Sequence, residues 1–312
     1  MLWYEVFDKL VGEKFPAMEV RCDEPMRDHT TFRIGGGAKR MAFPATMEEM
    51  TGLLSLAEEN GWSVFVVGNG SNLLICDEGL DKLVIMTTAL TDIHADAESG
   101  ILTAGAGAKL SKVAVAAMEN GLGGLAFAHG IPGSVGGAVF MNAGAYGGEI
   151  CQILTESICY DGKDGTVKTL RAEEHHFGYR HSVYRDHPDR IVLSASFALQ
   201  PGDKTAIRAM MDDLMNRRMS KQPLEYPSAG SAFKRCEGRF TAQMIDEAGL
   251  KGFSIGGAQV SEKHAGFIIN RGGATSADVR GLIAHIQREL KKRFEVDICP
   301  EIVYVPPTDG EE

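Results

Sequence analysis

The chain has 312 residues, of which 44% are hydrophobic and 24% are charged. The length allows two domains, and the apolar fraction excludes a mainly disordered chain because it suffices for a packed core. The net charge of −10, from 32 Lys and Arg against 42 Asp and Glu, argues against general nucleic-acid binding, which uses clustered basic residues.

Membrane insertion is not expected, because no apolar run approaches the ~20 residues that span a bilayer. The N-terminus shows no basic segment followed by an apolar stretch, so no secretory signal is predicted. The six cysteines are scattered without a C-x-x-C pair, which favours reduced thiols and predicts a cytoplasmic protein.

The pattern of apolar residues and caps predicts the first half of the chain to mix helices and strands. Residues 1–20 are predicted as one amphipathic helix. Thr46 to Glu49 form a capping-box pattern at the start of a helix over Met47–Asn60, which Gly61 ends. Strands are predicted at 62–67, 82–87, Ile101–Gly105, 153–160, 166–170 and 190–199, with a helix at 109–120 ending on Gly121. No regular structure is assigned to 123–148.

After Pro201-Gly202 the pattern changes to helices at 205–219 and 241–248 and a long final helix. That helix begins at the cap Thr275-Ser-Ala-Asp278, and a strand at 295–305 follows it. We therefore predict a domain boundary near residue 202.

Two glycine-rich segments are candidates for binding phosphate. Gly68-Asn-Gly-Ser-Asn72 follows a predicted strand, where exposed backbone N–H groups favour anions, although a hairpin with flexible glycines explains it equally well. The segment 129–148 holds seven glycines and a proline in twenty residues, so that a ligand or another backbone can approach closely. Close packing of a helix on a sheet is the alternative for this second segment.

Three further segments carry polar groups that suit chemistry. Arg180 lies among aromatic residues in 177–184, where an isolated arginine is usually a surface residue. Ser231 lies among small residues near a basic cluster that suits a diphosphate, and it lacks the G-x-S-x-G context of a hydrolase nucleophile. Glu301 precedes an apolar strand, as either a surface residue or a charge placed at a site. The basic cluster consists of Lys221, Lys234, Arg235 and Arg239.

Nine of these and neighbouring motifs occur together in one order. They are Thr31-Phe-Arg-Ile-Gly-Gly36, Gly68-Asn-Gly-Ser-Asn72, Gly130-Ile-Pro-Gly-Ser-Val-Gly136, Asn142-Ala-Gly-Ala-Tyr-Gly147, Phe177-Gly-Tyr-Arg-His-Ser182, Gly230-Ser-Ala-Phe233, Ile245-Asp-x-Ala-Gly-Leu-Lys-Gly252, Gly256-Gly-Ala-x-Val260 and Pro300-Glu301. In this order they resemble the UDP-N-acetylenolpyruvoylglucosamine reductases, flavoenzymes that complete UDP-N-acetylmuramate in bacterial cell-wall synthesis.

The resemblance implies an α+β fold in which an FAD-binding module of the vanillyl-alcohol-oxidase (PCMH) type precedes an α+β substrate-binding domain. The expected division is an N-terminal helix in 1–27, an FAD-binding domain in 28–202 with subdomains at about 28–105 and 106–202, and a substrate-binding domain in 203–312.

The resemblance also assigns roles to single residues. Arg180, Ser231 and Glu301 match the catalytic positions, and Lys221, Arg235 and Lys251 fall where the UDP-sugar is expected. The residues expected to bind FAD are Gly68, Asn69, Gly70, Ser71, Asn72, Leu73, Gly130, Pro132, Gly133, Ser134, Gly136, Gly137, Asn142 and Ala143. No metal site is expected.

The implied cofactors are non-covalent FAD, since the loop after Val67 offers no His or Cys for attachment, and NADPH as hydride donor. The UDP-sugar is the only partner expected, without an obligate protein partner.

His29 stands where the family often has tyrosine, and the short interval between Arg180 and Ser231 resembles the family type without a tyrosine lid. Rival functions are a flavin oxidase of the same superfamily and a non-enzymatic nucleotide-binding module.

Overall fold

The computed structural model describes residues 2–236 and 238–309. Within them the helices are α1 (Trp3–Lys14), α2 (Met47–Asn60), α3 (Leu110–Glu119), α4 (Val135–Phe140), α5 (Val183–Asp186), α6 (Lys204–Lys221), α7 (Thr241–Glu247) and α8 (Ser276–Phe294). The mixture of these helices with several sheets confirms the predicted α+β class. Among the described residues, no helix combines the length and apolar character that crossing a bilayer requires.

The strands are mostly short. They are β1 (Glu19–Pro25), β2 (Gly37–Phe43), β3 (Val64–Val67), β4 (Leu73–Ile75), β5 (Leu80–Met86), β6 (Ile93–Asp96), β7 (Ile101–Gly105), β8 (Leu122–Gly123), β9 (Gly144–Ala145), β10 (Gly148–Glu149), β11 (Leu154–Asp161), β12 (Thr166–Arg171), β13 (Arg190–Ala198), β14 (Gln200–Pro201), β15 (Ser228–Ser231), β16 (Ser254–Ile255), β17 (Ala258–Val260), β18 (Phe267–Asn270) and β19 (Val303–Val305).

The helices with strong capping signals lie where the sequence predicts them. The Thr46 side chain accepts a hydrogen bond from the Glu49 backbone N–H at 3.1 Å, and Gly61 ends α2 in a left-handed conformation. At α8, Thr275 accepts from the Asp278 N–H at 3.0 Å. These caps satisfy backbone donors that have no partner within the helix, so both ends are specified locally.

Two predictions at the chain ends are wrong in part. The first helix ends at Lys14 because Pro16 disfavours a helical conformation at Phe15, and β1 follows where the helix was predicted to continue. In the predicted strand 295–305 only β19 forms a strand, and Pro300 makes an isolated bridge with Phe233. Glu295 ends α8 with a φ of 59°, and Pro300 has no N–H to donate to a neighbouring strand.

The glycine-rich segment 123–148 contains α4 and the β9–β10 hairpin. The sequence did not predict them because glycines interrupt the apolar pattern. A Cβ at Gly136 would lie 3.0 Å from the Ala106 Cβ, and one at Gly148 would collide with the Phe127 ring. At these two positions, close packing is therefore the reason for glycine.

The chain divides into two compact units, each of which is discontinuous in sequence. Unit 1 comprises Met1–Cys22, Arg40–Asn69 and Leu83–Arg217, and unit 2 comprises Asp23–Lys39, Gly70–Lys82 and Arg218–Glu312. The predicted boundaries at 28, 106 and 203 remain predictions.

Unit 1 contains an antiparallel sheet in the order β12-β11-β13-β7-β6. One buried core of this unit combines residues of α3, α4 and this sheet. A second core lies under α1 and α2 and includes Leu83 and Ile85 of β5, in the part of that strand that pairs in parallel with β3.

Unit 2 contains an antiparallel sheet in the order β15-β18-β17-β16 and a parallel pair of β4 and β19. The apolar face of α8 is buried in the core of this unit, as its spacing predicts. Its buried residues are Val279, Leu282, Ile286 and Leu290.

Asp161, at the end of β11, is a buried carboxylate whose charge is compensated within unit 1. Its Oδ2 lies 2.9 Å from Lys168 Nζ and 3.0 Å from Arg190 Nε, and its side chain is 1% exposed. The hydrogen bond from Lys168 is the main reason that the pKa of Asp161 falls to about 2.

We expect Asp161→Asn to lower the free energy of unfolding by about 1–2 kcal/mol at neutral pH, because Arg190 and Lys168 lose the carboxylate that they share. The loss of stability is moderate because Lys168 is partly exposed and water solvates its charge. Since the pKa is depressed, this stabilisation is present above the unfolded value near 4 and is lost as the pH falls towards 2. Urea unfolding at several pH values measures it. The exposed partner substitution Asp164→Asn should change stability much less, and an equal loss in both variants would contradict the assignment.

Candidate active site

The first glycine segment contacts the second within unit 1. The Asn69 side-chain amide donates to the Pro132 carbonyl, and a Cβ at Gly68 would collide with the Ser134 Oγ. Gly68 follows directly on β3, so the end of this strand lies against the segment 130–137. Only glycine leaves room for Ser134 at this point.

Ser134 is buried yet incompletely hydrogen-bonded. Its residue is 2% exposed, and its Oγ has no partner among the described residues. The neighbouring backbone is firmly placed, because Leu110 N donates to Gly133 O at 3.0 Å. A buried hydroxyl without a partner beside a glycine suits a ligand oxygen, so this wall fits the FAD diphosphate that the resemblance implies.

The rest of the first glycine segment belongs to unit 2. Thr31 N donates to Gly70 O at 3.3 Å, and Gly70 has a φ of 57°. A Cβ at Gly70 would collide with the His29 carbonyl oxygen, so glycine is required here both by conformation and by space. His29, in the position of the family's tyrosine, places its Nε2 2.8 Å from Glu24 Oε1.

Ser231 and Glu301 lie on adjacent segments of unit 2. Glu301 N donates to Ala232 O at 2.9 Å, and the Ser231 hydroxyl donates to Phe233 O at 3.2 Å. Asn72 joins them, because its side-chain amide donates to the Glu301 carbonyl at 3.1 Å. The structure thus brings two of the three predicted catalytic residues together with the glycine segment.

Arg180, the third predicted catalytic residue, lies in unit 1 on a tight turn. The turn is closed by mutual hydrogen bonds between Gly178 and His181, and Arg180 adopts a φ of 53°, which costs a non-glycine residue about 1 kcal/mol or more. Its Nη2 donates to Gly144 O at 3.3 Å, and its guanidinium carbon lies 5.1 Å from the centroid of the Tyr179 ring. The guanidinium is therefore presented beside the second glycine segment.

Asn142, predicted to bind FAD, uses its side chain within the protein. Its amide donates to Gly178 O at 3.0 Å and to Glu149 Oε2 at 3.1 Å, and its Oδ1 accepts from Cys151 N at 3.0 Å. It is 1% exposed. Asn142 thereby connects the glycine segment to the turn that carries Arg180.

Two of the three predicted sugar-nucleotide residues lie near a histidine, His264, that the sequence analysis missed. Burial lowers the pKa of His264, and the positive charges of Lys251 and Lys221 lower it further. Gly266 N donates to His264 Nδ1 at 3.1 Å, so the neutral ring carries its proton on Nε2. Lys251 is also paired with Asp246 at 2.6 Å, and Arg235 is exposed. The pair Lys263-His264, which follows β17 after two intervening residues, was the signal available in the sequence.

The remaining predicted FAD residues divide between the same units. Pro132, Gly133, Gly137, Gly130 and Ala143 lie in unit 1, whereas Ser71 and Leu73 lie in unit 2. Among the described residues, no cluster of His, Cys, Asp and Glu has the arrangement to hold a metal ion.

Family models match both parts of the chain. Residues 38–171 match a model described as an FAD binding domain, and residues 222–305 match the C-terminal domain of UDP-N-acetylenolpyruvoylglucosamine reductase. The second match contains Ser231 and Glu301.

Full-length relatives with that name are also similar. The enzyme of Clostridium perfringens (strain SM101 / Type A) is 46% identical over 96% of this chain and 97% of its own length. The enzyme of Agathobacter rectalis is 48% identical over 96% of this chain and 98% of its own length.

A solved structure supports the same conclusion. The crystal structure of the enzyme from Thermus caldophilus superposes with a TM-score of 0.78 and 35% identity, covering 93% of this chain and 99% of that one. Because the identity extends over nearly the whole of both chains, the protein belongs to the UDP-N-acetylenolpyruvoylglucosamine reductase family and is an FAD-dependent oxidoreductase.

Proposed function

We propose that the protein reduces the enolpyruvyl ether of UDP-N-acetylglucosamine-enolpyruvate to UDP-N-acetylmuramate, with NADPH as the hydride donor, in peptidoglycan synthesis. The observation that carries this proposal is the adjacency of Ser231, Glu301 and Asn72 in unit 2, since backbone contacts of Glu301 bring the residues with the proposed proton donor and carboxyl group next to the predicted cofactor segment.

FAD is proposed to bind without a covalent link along the glycine segments. Ser134 supplies a buried hydroxyl that is otherwise unsatisfied, and Gly68 leaves room for it at the end of β3. When bound, FAD would supply the hydride, originating from NADPH, that the enolpyruvyl group receives at C3.

Hydride addition at C3 places negative charge on C2 and the neighbouring carboxylate of the substrate. The Ser231 hydroxyl is proposed to give its proton to C2, because a carbanion is basic enough to accept from a weak acid. Arg180 is proposed to hold the substrate carboxylate with its planar pair of N–H groups. Glu301 assists only when protonated or hydrogen-bonded, because an ionised carboxylate would oppose the developing charge.

The UDP diphosphate is proposed to meet the positive charges of Lys221, Lys251 and Arg235. His264 extends this set, because its neutral ring offers an Nε2–H donor beside Lys221 and Lys251. Both the charge and the donor favour phosphate oxygens.

A two-step anaerobic stopped-flow experiment tests the proposal. We expect the purified protein to be yellow, NADPH to bleach its flavin absorbance, and the absorbance to return only when the UDP-enolpyruvyl sugar is added. A colourless protein that takes up no FAD would contradict the proposal and favour a binding module. Reduction by an alcohol or a sugar, with reoxidation by oxygen alone, would show an oxidase instead.

A further inference from the structure

Three side chains form a fully buried hydrogen-bonded chain beneath the Arg180 turn. Ser157 Oγ lies 2.7 Å from His175 Nε2 and 2.6 Å from the Tyr184 hydroxyl. Ser157, His175 and Tyr184 are each 0% exposed. The proposed reaction uses none of them, and buried polar groups of this kind are costly unless each is satisfied.

The hydrogen bonds among Ser157, His175 and Tyr184 have one possible direction when His175 is neutral. His175 Nδ1 lies 2.8 Å from the Arg171 carbonyl, which can only accept, so Nδ1 carries the proton and Nε2 accepts. Ser157 must then donate to His175 and accept from Tyr184. Burial lowers the pKa of His175 and raises that of Tyr184, which keeps both groups in the neutral forms that this order requires.

These hydrogen-bonded side chains connect both ends of the loop that carries Arg180 to one strand, β11. Ser157 belongs to β11, whereas His175 and Tyr184 precede and follow the turn at Gly178–His181. Within the loop, His176 and Arg180 both have a positive φ, 46° and 53°. Two such residues in five persist only where the surrounding contacts hold them.

Further contacts inside the loop transmit this restraint to Arg180. The His175 ring stacks on Phe177 with centroids 5.0 Å apart, one residue before the turn. Arg185, directly after Tyr184, donates from Nη1 to the Arg180 carbonyl at 3.0 Å. A displacement of either end of the loop therefore moves the backbone of Arg180.

We propose that Tyr184, Ser157 and His175 are positioning residues, whose hydrogen-bonded chain holds the Arg180 turn in the conformation that presents the guanidinium to the substrate carboxylate. This inference rests on the proposed role of Arg180. A shift of about 1 Å in a positioned group reduces a rate by up to about 100-fold, so displacement of the Arg180 guanidinium should slow the substrate half-reaction measurably.

The test compares Ser157→Ala with the matched control Ser196→Ala. Ser196 is also a buried serine of the same sheet, and its hydroxyl pairs with Thr103 at 3.0 Å, away from the loop. Hydrogen exchange of the Gly178 and His181 amides reports the turn without any need for turnover. Stopped-flow rates report flavin reduction by NADPH and flavin reoxidation by the enolpyruvyl substrate separately.

In Ser157→Ala we expect the two turn amides to exchange about tenfold faster or more, and reoxidation by substrate to slow about tenfold, with flavin reduction within about twofold of the parent protein. Ser196→Ala should leave all three quantities unchanged. Tyr184→Phe keeps the packing and the Ser157–His175 bond, so its effect should have the same direction and be smaller. It serves as the test variant if Ser157→Ala does not fold.

Arg180→Ala separates this inference from the proposed function. In that background Ser157→Ala should slow reoxidation no further, because the group that it positions is gone. If Arg180→Ala itself leaves reoxidation unchanged, the proposed role of Arg180 is wrong. If Arg180→Ala slows reoxidation but Ser157→Ala changes neither exchange nor rate, the positioning role is wrong and the proposed function stands.

Discussion

Ser231→Ala is expected to slow reoxidation of the reduced flavin by the enolpyruvyl substrate by about 10²–10⁴-fold, the range of a lost general acid. Reduction of the flavin by NADPH should remain near that of the parent protein, because the proposed proton transfer from Ser231 serves only C2 of the second substrate. The Ser231 hydroxyl donates to Phe233 O in the structure, and a bond of this kind contributes only about 1 kcal/mol to stability. Stopped-flow measurement of each half-reaction separates the two effects.

Ser228→Ala, at the other end of β15, is the matched control. The interaction of Ser228 with Thr31 uses its backbone carbonyl, at 2.7 Å from the Thr31 hydroxyl, and survives the substitution. Both half-reactions should be unaffected in this variant. An equal fall of both half-reactions in Ser231→Ala would instead identify Ser231 as a structural residue.

Arg180→Lys is expected to slow the same substrate half-reaction by about 10²-fold, although the charge is retained. An ammonium group cannot make the two parallel hydrogen bonds that a guanidinium makes with a carboxylate. The positive φ of residue 180 costs lysine and arginine alike, so the backbone does not account for a difference between them.

The rates of flavin reduction and reoxidation in Arg180→Lys are measured beside those of Arg217→Lys. Arg217 forms an exposed ion pair with Asp213 on α6, at 2.8 Å, and its replacement should change neither rate. Near-normal reoxidation in Arg180→Lys would remove the guanidinium from the proposed mechanism.

Local signals in the sequence were sufficient where a structural feature depends on neighbours in the chain. The caps Thr46 and Thr275 and the glycine Gly61 act within four residues, and α2 and α8 begin and end as predicted. The strands Ile101–Gly105, 154–161 and 190–198 likewise agree with their apolar patterns to within a residue or so. By contrast, α4 was hidden because glycine lowers helix propensity, and its helix depends on packing against Ala106.

The amino-acid sequence alone gave the order of the motifs, and that order indicated the family, because motifs rest on residue types and their spacing. The α+β class was in turn implied by the resemblance to the family. Only the tertiary structure decided that residues 23–39 and 70–82 group with the C-terminal part of the chain. The same holds for the bond between Asn72 and Glu301, 229 positions apart, and for the buried chain from Tyr184 to His175. Contacts between distant segments depend on how strands pair and cores pack, and no local pattern encodes that pairing.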